Sequence, residues 1–370
     1  MKSIRCWVLP LLLCLSLTPA GARGQGAPPP FTEMNVNLGS IQAQKVNWGD
    51  YDNDGDLDLI VEGVDGPRFT RIYRNDNGQF NHETAADLFG YMDGPVLWGD
   101  YDNDGRLDLA FGGWNGSGTG TRLYHNDGGG AFTYNTTFTR GMADADGAWG
   151  DYDNDGDLDY LTLGNSQDAQ PGDYAFFYRN DGGGVFTRSV DFTGTALGKV
   201  SLADYDNDGD LDVAICGRNV GFKIYRNTNG SFAEVPTTLP QMPHSAVTWG
   251  DIDNDGDLDL ALSGVNGANL LLEIYRNTGT GFDAINAGLP GVRNAEHRWG
   301  DYDNDGDLDL LVVGLNAASA AVSIIYRNDN GSFVDLQAGL TGVENQSGCA
   351  WGDYDNDGDL DLAVGCLPTW

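Results

Sequence analysis

Seven short stretches of this sequence place a carboxylate at nearly every second position, a spacing that lets a chain wrap around a hard cation. The first reads Asp50-Tyr51-Asp52-Asn53-Asp54-Gly55-Asp56-Leu57-Asp58. Side chains at loop positions 1, 3, 5 and 9, with the backbone carbonyl of position 7, supply a shell of oxygens. Calcium takes about six to eight such ligands in flexible geometry. Glycine at position 6 permits the sharp turn that the wrap needs. Without a metal, so many carboxylates packed together must protonate or fray.

The expected ligand sets are Asp50, Asp52, Asp54, Asp56 and Asp58, then Asp100, Asp102, Asp104, Arg106 and Asp108. The third and fourth are Asp151, Asp153, Asp155, Asp157 and Asp159, and Asp204, Asp206, Asp208, Asp210 and Asp212. The remaining three are Asp251, Asp253, Asp255, Asp257 and Asp259; Asp301, Asp303, Asp305, Asp307 and Asp309; and Asp353, Asp355, Asp357, Asp359 and Asp361. Up to seven structural Ca²⁺ ions follow, one per loop. Arg106 keeps its carbonyl but adds a positive charge, so the second site is expected to be weakest. An EF-hand would place a glutamate at position 12, where the chain has Val61, Phe111, Thr162, Ile215, Leu262, Val312 and Val364. Zinc would want Cys or His nearby, and magnesium tolerates so crowded a cage poorly.

These loops hold 34 of the 55 acidic residues in a chain of 370 with a formal charge of −35, so most of the acid is placed rather than spread. That charge argues against nucleic acid as a partner, because phosphate binding needs a basic surface. Hydrophobic residues at 40% leave enough for a core, so the acid does not mean disorder.

The elements that position the loops repeat with them, about every 50 residues. Strand A leads into Trp-Gly-Asp at Trp48, Trp98, Trp149, Trp249, Trp299 and Trp351, with Leu202 standing in once. The Asp loop follows, then strand B, a variable loop and strand C. Strand C carries Tyr-Arg-Asn, beginning at Tyr73, Tyr124, Tyr178, Tyr225, Tyr275 and Tyr326, with His125 replacing Arg once. An Asn/Asp/Gly turn and strand D close the unit. Nothing sustains a helical period.

Four strands per repeat predict an all-β, seven-bladed β-propeller. Its ring would be closed by an N-terminal strand, Phe31-Thr32-Glu33, serving as strand D of the C-terminal blade. Strand C of that blade is missing, so the N-terminal strand is expected beside strand B and parallel to it. The chain is then either a fragment or ends in an imperfect blade.

Residues 1–22 read as a secretory leader: Lys2 and Arg5, an apolar run from Cys6 to Leu17, and Ala20-Gly21-Ala22 for cleavage. The apolar run is too short to span a membrane, and no span is expected after cleavage. Residues 23–30, with Pro28-Pro29-Pro30, form a spacer and residues 31–370 the propeller. The expected location is secreted or extracellular, with periplasm or cell surface as variants.

The Asp-x-Asp-x-Asp-Gly-x-x-Asp loops and their repeat length resemble the FG-GAP/VCBS family, the calcium-binding propeller repeats of integrin α-subunits and of many secreted bacterial proteins. Phe111-Gly112-Gly113 matches the Phe-Gly half of the family name, and no Gly-Ala-Pro half is present. Some fungal lectins have similar propellers. The resemblance implies fold and calcium, and says little about function.

Strand alternation puts the Asp loops and the C–D turns on one face, near-identical in each blade. The B–C loops and D–A connectors share the other and differ in each blade, so recognition is expected there. Candidate contacts are Arg68, Tyr91, Trp114, Tyr174, Arg218 and Arg293, with Trp114 suited to stack on a sugar ring. The Trp-Gly-Asp tryptophans read as wedges between blades and the Tyr-Arg-Asn arginines as braces for acidic loops. Cys349 and Cys366 are expected to pair, leaving Cys216 buried and alone. The reading is a secreted adhesion or recognition module for carbohydrate or extracellular protein. Its alternatives are a polysaccharide lyase or hydrolase and a scaffold module of a longer protein. The enzyme reading is disfavoured because His82, His125, His244 and His297 fall at unrelated blade positions. No nucleophile motif of the Gly-x-Ser-x-Gly kind is present either. Acids such as Asp65, Asp93, Asp144, Asp146, Asp168 and Glu296 remain available for pairing on the variable face.

Overall fold

Strand B of the first six repeats is covered by A on one side and C on the other, which is why it reads as a short apolar run. In the first blade, A (Gln42–Gly49), B (Asp58–Val64), C (Arg68–Asp76) and D (Gln79–His82) pair antiparallel in chain order. Asp58 to Gly63 are all buried, whereas strand D is largely exposed. The C–D hairpin turns through Asn77 at φ 53° and Gly78 at φ 82°, the left-handed pair that a tight hairpin requires. The structure is a computed structural model that describes residues 12–16, 31–34, 38, 42–84, 86, 88–137, 140–167, 170–343 and 348–365.

The protein is an all-β propeller of four-stranded blades. Six blades are each built from four consecutive strands, where a seven-bladed ring was expected. A further four-stranded sheet is composite and joins the two ends of the described chain. Its order is Phe31–Met34, Leu12–Ser16, Asp361–Val364, Cys349–Gly352. The N-terminal strand therefore does not lie parallel beside strand B. Leu12–Ser16, inside the segment read as a leader, sits between the two and runs antiparallel to both. Phe31 nonetheless takes the strand-D place: its ring lies 6.1 Å from Tyr302 and 6.4 Å from Trp351. The A strands touch one another in succession and form the inner ring. Of the expected leader and spacer, all but residues 12–16 lie outside the described residues.

Two devices join neighbouring blades. The first explains the dipeptide Trp-Gly: the tryptophans other than Trp249 pack where the preceding blade's glycine leaves room. A Cβ at Gly49 would stand 2.6 Å from Trp98 Cδ1, one at Gly99 2.7 Å from Trp149, and one at Gly352 2.7 Å from Trp48. In the fourth blade Leu202 fills the place over Gly150. The tryptophans are wedges, as expected.

The second device is a buried asparagine, the last residue of Tyr-Arg-Asn. Asn126 Nδ2 donates to Tyr51 O of the blade before at 2.7 Å and to Leu107 O of its own at 3.0 Å. Asn75, Asn180, Asn227, Asn277 and Asn328 repeat the arrangement. No helix among the described residues is long and apolar enough to cross a membrane.

Candidate metal loops and the variable face

Each Asp loop folds through an asparagine at position 4 in the left-handed region, from φ 56° at Asn304 to 60° at Asn53, followed by its glycine. Asparagine tolerates that conformation better than most residues. The turn brings position 1 back over the loop. Asp50 accepts from Asp54 N through Oδ1 and from Gly55 N through Oδ2, both at 3.1 Å. Asp58 at position 9 is fully buried and accepts from Tyr51 N at 3.1 Å and Asn75 N at 2.8 Å.

Position 3 carries the observation that tests a metal. Oδ1 of Asp52, Asp102, Asp153, Asp206, Asp253 and Asp303 is buried with no hydrogen-bond partner. In the first loop, ligand atoms of Asp50, Asp52 and Asp58 lie within 4.8 Å of one another, and the next three loops repeat this. Orphaned carboxylate oxygens converging on one point are what a hard cation would satisfy, so the residues present fit calcium. Burial raises Asp58, Asp159 and Asp212 to about 7, Asp108 and Asp259 to about 6 and Asp309 to about 8, against opposing backbone N–H bonds. Ionising these loops is costly without a counter-charge.

At position 7 the carboxylate is used elsewhere. Asp56 Oδ2 accepts from Asn77 N of the C–D turn at 2.8 Å, and Oδ1 from Asn356 Nδ2 at 2.9 Å. Only its carbonyl is left for an ion, as the sequence suggested.

The second loop departs. Arg106 donates to Asn126 O at 2.8 Å and to Asp104 Oδ2, drawing on the position-5 ligand. His125 Nδ1 lies 3.2 Å from Asp102 Oδ2 and 3.3 Å from Asp108 Oδ1. The arginines at that place elsewhere divide: Arg226 and Arg276 reach the loop acids Asp206 and Asp253, at 3.6 and 2.7 Å. Arg74, Arg179 and Arg327 instead pair with Asp76, Asp181 and Asp329 in the C–D turns.

Of the variable-face candidates, Tyr91 is buried: Arg122 Nε donates to its hydroxyl at 3.2 Å, and its ring edges onto Phe111. A D–A connector carrying Tyr91 is pulled down by backbone bonds between Met92 and Trp114, so a ligand cannot reach it. Trp114 is half-buried at the end of strand B. Arg68 lies against the same loop, with Nη1 2.8 Å from where a Gly116 Cβ would stand. Tyr174 is half-buried beneath Arg140, 3.9 Å from its ring centre, and Arg218 is exposed 4.0 Å from Asp173. Arg293 stands apart, bonded to Ser319 Oγ at 2.9 Å. The structure thus groups Arg68 with Trp114 and separates Arg293 from both.

Cys349 is a buried free thiol whose antiparallel partner is Val364, because the register sets that residue opposite it. Cys366 lies outside the described residues, as does Asp168. Cys216 is buried, with its sulfur 3.2 Å from Ser245 O. Sequence reasoning missed a cluster on the inner ring: Lys45, Lys199 and Arg298 around Glu296. Stacking the repeats would have found it, because these charges fall on strand A, which is otherwise mostly apolar.

Four stretches of the chain match the FG-GAP-like repeat, residues 50–111, 100–162, 204–262 and 301–364. A lectin from Agrocybe aegerita, solved to explain its recognition of non-reducing terminal N-acetylglucosamine, is similar over 83% of this chain and 85% of its own. The identity is 19% and the TM-score 0.56. BBS1N, solved in complex with ARL6DN, is similar over 90% of this chain and 94% of its own, at 14% identity and a TM-score of 0.51. At such identities the likeness is one of fold. No curated protein matches the chain.

Proposed function

The chain belongs to the FG-GAP-like repeat family, and on that premise we propose that it is a secreted, calcium-held propeller that recognises carbohydrate or an extracellular protein. One observation carries the reading: the acidic loops repeat around one face, while the loops opposite differ in every blade. Repetition suits a structural role, and variation suits recognition. Asp50, Asp52, Asp54, the carbonyl of Asp56, and Asp58 would hold the first ion, with the equivalent residues holding the others. Bound calcium supplies the positive charge that lets these buried carboxylates ionise.

The shared propeller fold of a sugar-binding lectin supports carbohydrate as the first class to test. The N-terminal leader pattern supports export. The composite sheet, with the loop of Asp353 to Asp361, would make the ring seven-fold in the uncleaved chain, and cleavage of the leader would take its Leu12–Ser16 strand away. The arrangement does not favour hydrolysis: Asp146 and Glu296 do approach one another, but through Lys199, which ion-pairs with both. Arg298, Lys199 and Lys45 hold Glu296 well below the usual carboxylate range despite its burial, which unsuits it as a general acid.

The test is a glycan and matrix-protein array probed with the purified protein in calcium and again after chelation. Binding that disappears on chelation and weakens in Trp114→Ala supports the reading. A calcium-loaded, folded protein that binds nothing on the array overturns it.

A further inference from the structure

Three positions before each strand-A tryptophan, or Leu202, the inner ring carries Lys45, Pro95, Asp146, Lys199, Ala246, Glu296 and Gly348. The four charged ones meet across the axis. Lys199 Nζ stands 2.8 Å from Glu296 Oε2 and 3.7 Å from Asp146 Oδ1, and Lys45 Nζ is 3.3 Å from the same Glu296 oxygen. Arg298 donates to Glu296 Oε1. Both Glu296 oxygens are therefore engaged.

The two ammonium groups are engaged only in part. Each has three N–H donors. Lys45, whose side chain is 9% exposed, makes one long bond, and Lys199, 13% exposed, makes one short one. Both border a cavity that Asp144, Ser245 and Asn294 also line. These residues lie at the start of strand A, away from the Asp loops, so the cavity belongs to the variable face. Glu62, opposite Lys45 in the strand register, does not answer it: both oxygens are buried without a hydrogen bond. Burial also pushes the Glu62 carboxyl well above the usual range, toward its neutral form. Three cations then face the two paired carboxylates of Asp146 and Glu296 and a third acid, Asp144, at the rim, and the ammonium groups still have donors to spare in a place shielded from water. An anionic oxygen group held between the two ammonium groups satisfies those donors with charge-assisted hydrogen bonds.

We propose that this axial cavity is an anion subsite that takes a carboxylate presented along the propeller axis. Asn294, half-buried in the cavity wall, is of a type that suits the hydroxyls flanking the carboxylate of an acidic sugar. The sugar as source rests on the recognition reading, whereas the anion subsite does not.

Calorimetric titration of the calcium-loaded full chain with sodium glucuronate, glucose and sodium acetate separates the cases. Glucuronate is expected to bind saturably and glucose not at all. Lys199→Gln should lower glucuronate affinity at least tenfold, and Asp144→Asn, which removes a negative charge at the rim, should raise it several-fold. If Lys199→Gln fails to fold, the gain in Asp144→Asn is the deciding result. Tighter binding of glucuronate than acetate identifies an acidic sugar; equal binding identifies a free small carboxylate, and either supports the subsite. Absence of saturable binding by both anions, or affinity unmoved by either substitution, overturns it. An array without hits beside clear glucuronate binding would sink the recognition reading and leave the subsite standing.

Discussion

The side-chain amide of Asn356 donates to the carbonyl of Gly55 at 3.1 Å, across 301 residues of sequence. It is the last of a cycle in which the position-4 asparagine of each Asp loop grips the next loop: Asn53 to Gly105, Asn103 to Gly156, Asn154 to Asp210, Asn207 to Asp257, Asn254 to Gly306, and Asn304 to Gly358. One residue thus serves twice. Its left-handed backbone turns the loop, and that turn aims its amide at the neighbour. The acidic loops are consequently a continuous belt, and any cation held in one loop stiffens the two beside it.

Asn356→Gly isolates the belt bond, because glycine accepts the left-handed backbone without strain. We expect a loss of about 1 kcal/mol in urea unfolding, typical of a hydrogen bond. Asn356→Ala should lose about 1 kcal/mol more through its strained backbone. If Asn356→Gly unfolds like the wild type, the ring does not depend on this closing bond.

The buried position-9 carboxylates set a pH dependence for metal-stripped protein. Their folded values, about 6 to 8, exceed the ordinary 3.8, so the folded state holds more protons than the unfolded state between those limits. Stability from this source is complete below pH 4 and is lost as pH rises through 6 to 8. Metal-stripped protein should therefore melt higher at pH 5 than at pH 8. Calcium requires the ionised carboxylates, so the rise in Tm on adding it should be larger at pH 8. A metal-free Tm that climbs from pH 5 to 8 would contradict this assignment.

The second loop should be the weak member of the belt. Arg106 holds the Asp104 carboxylate and His125 stands beside Asp102, so calcium there must displace a bonded cation. Calcium titration should resolve one site of markedly lower affinity than the rest. The double change Arg106→Asp and His125→Arg should restore it to the main class. A wild-type isotherm with a single class of sites would show that Arg106 costs nothing.

Much of this was legible in advance because repetition averages out local ambiguity. A nine-residue loop seen seven times fixes its turn and the strands on either side. The Trp wedge and the strand-D place of Phe31 followed from the same repeats. What failed lay where the repeat breaks or where contacts cross it. The closing sheet recruits Leu12–Ser16, whose apolar character suits a leader and a strand equally well. Tyr91 reads as a surface aromatic, yet Arg122 of the next strand C draws it inward. The Lys45–Glu296 pair joins residues 251 apart, and only the closed ring brings them together.

The Trp-Gly joint gives the sharpest mutational test of closure. A Cβ at Gly352 would stand 2.7 Å from Trp48 Cδ1 and 2.9 Å from Leu57 Cδ1, two side chains of the first blade already packed against their own core. Neither can retreat without opening the first blade, so Gly352→Ala should cost about 1–3 kcal/mol by overpacking. Gly358→Ala is a poor control, because its φ of 91° adds strain although nothing lies within 4 Å. Gly118→Ala, with open space and an ordinary backbone, should change stability little. Nature supplies the comparison in the fourth blade, where Leu202-Ala203 replaces Trp-Gly and an alanine takes the place of the wedge glycine. Ala203→Gly should relieve that joint, or at most cost the backbone entropy of a glycine, about 1 kcal/mol. If Gly352→Ala melts with the wild type, the wedge is not what holds the ring shut, and the asparagine belt and the buried Asn75 bond to Tyr354 O must do so.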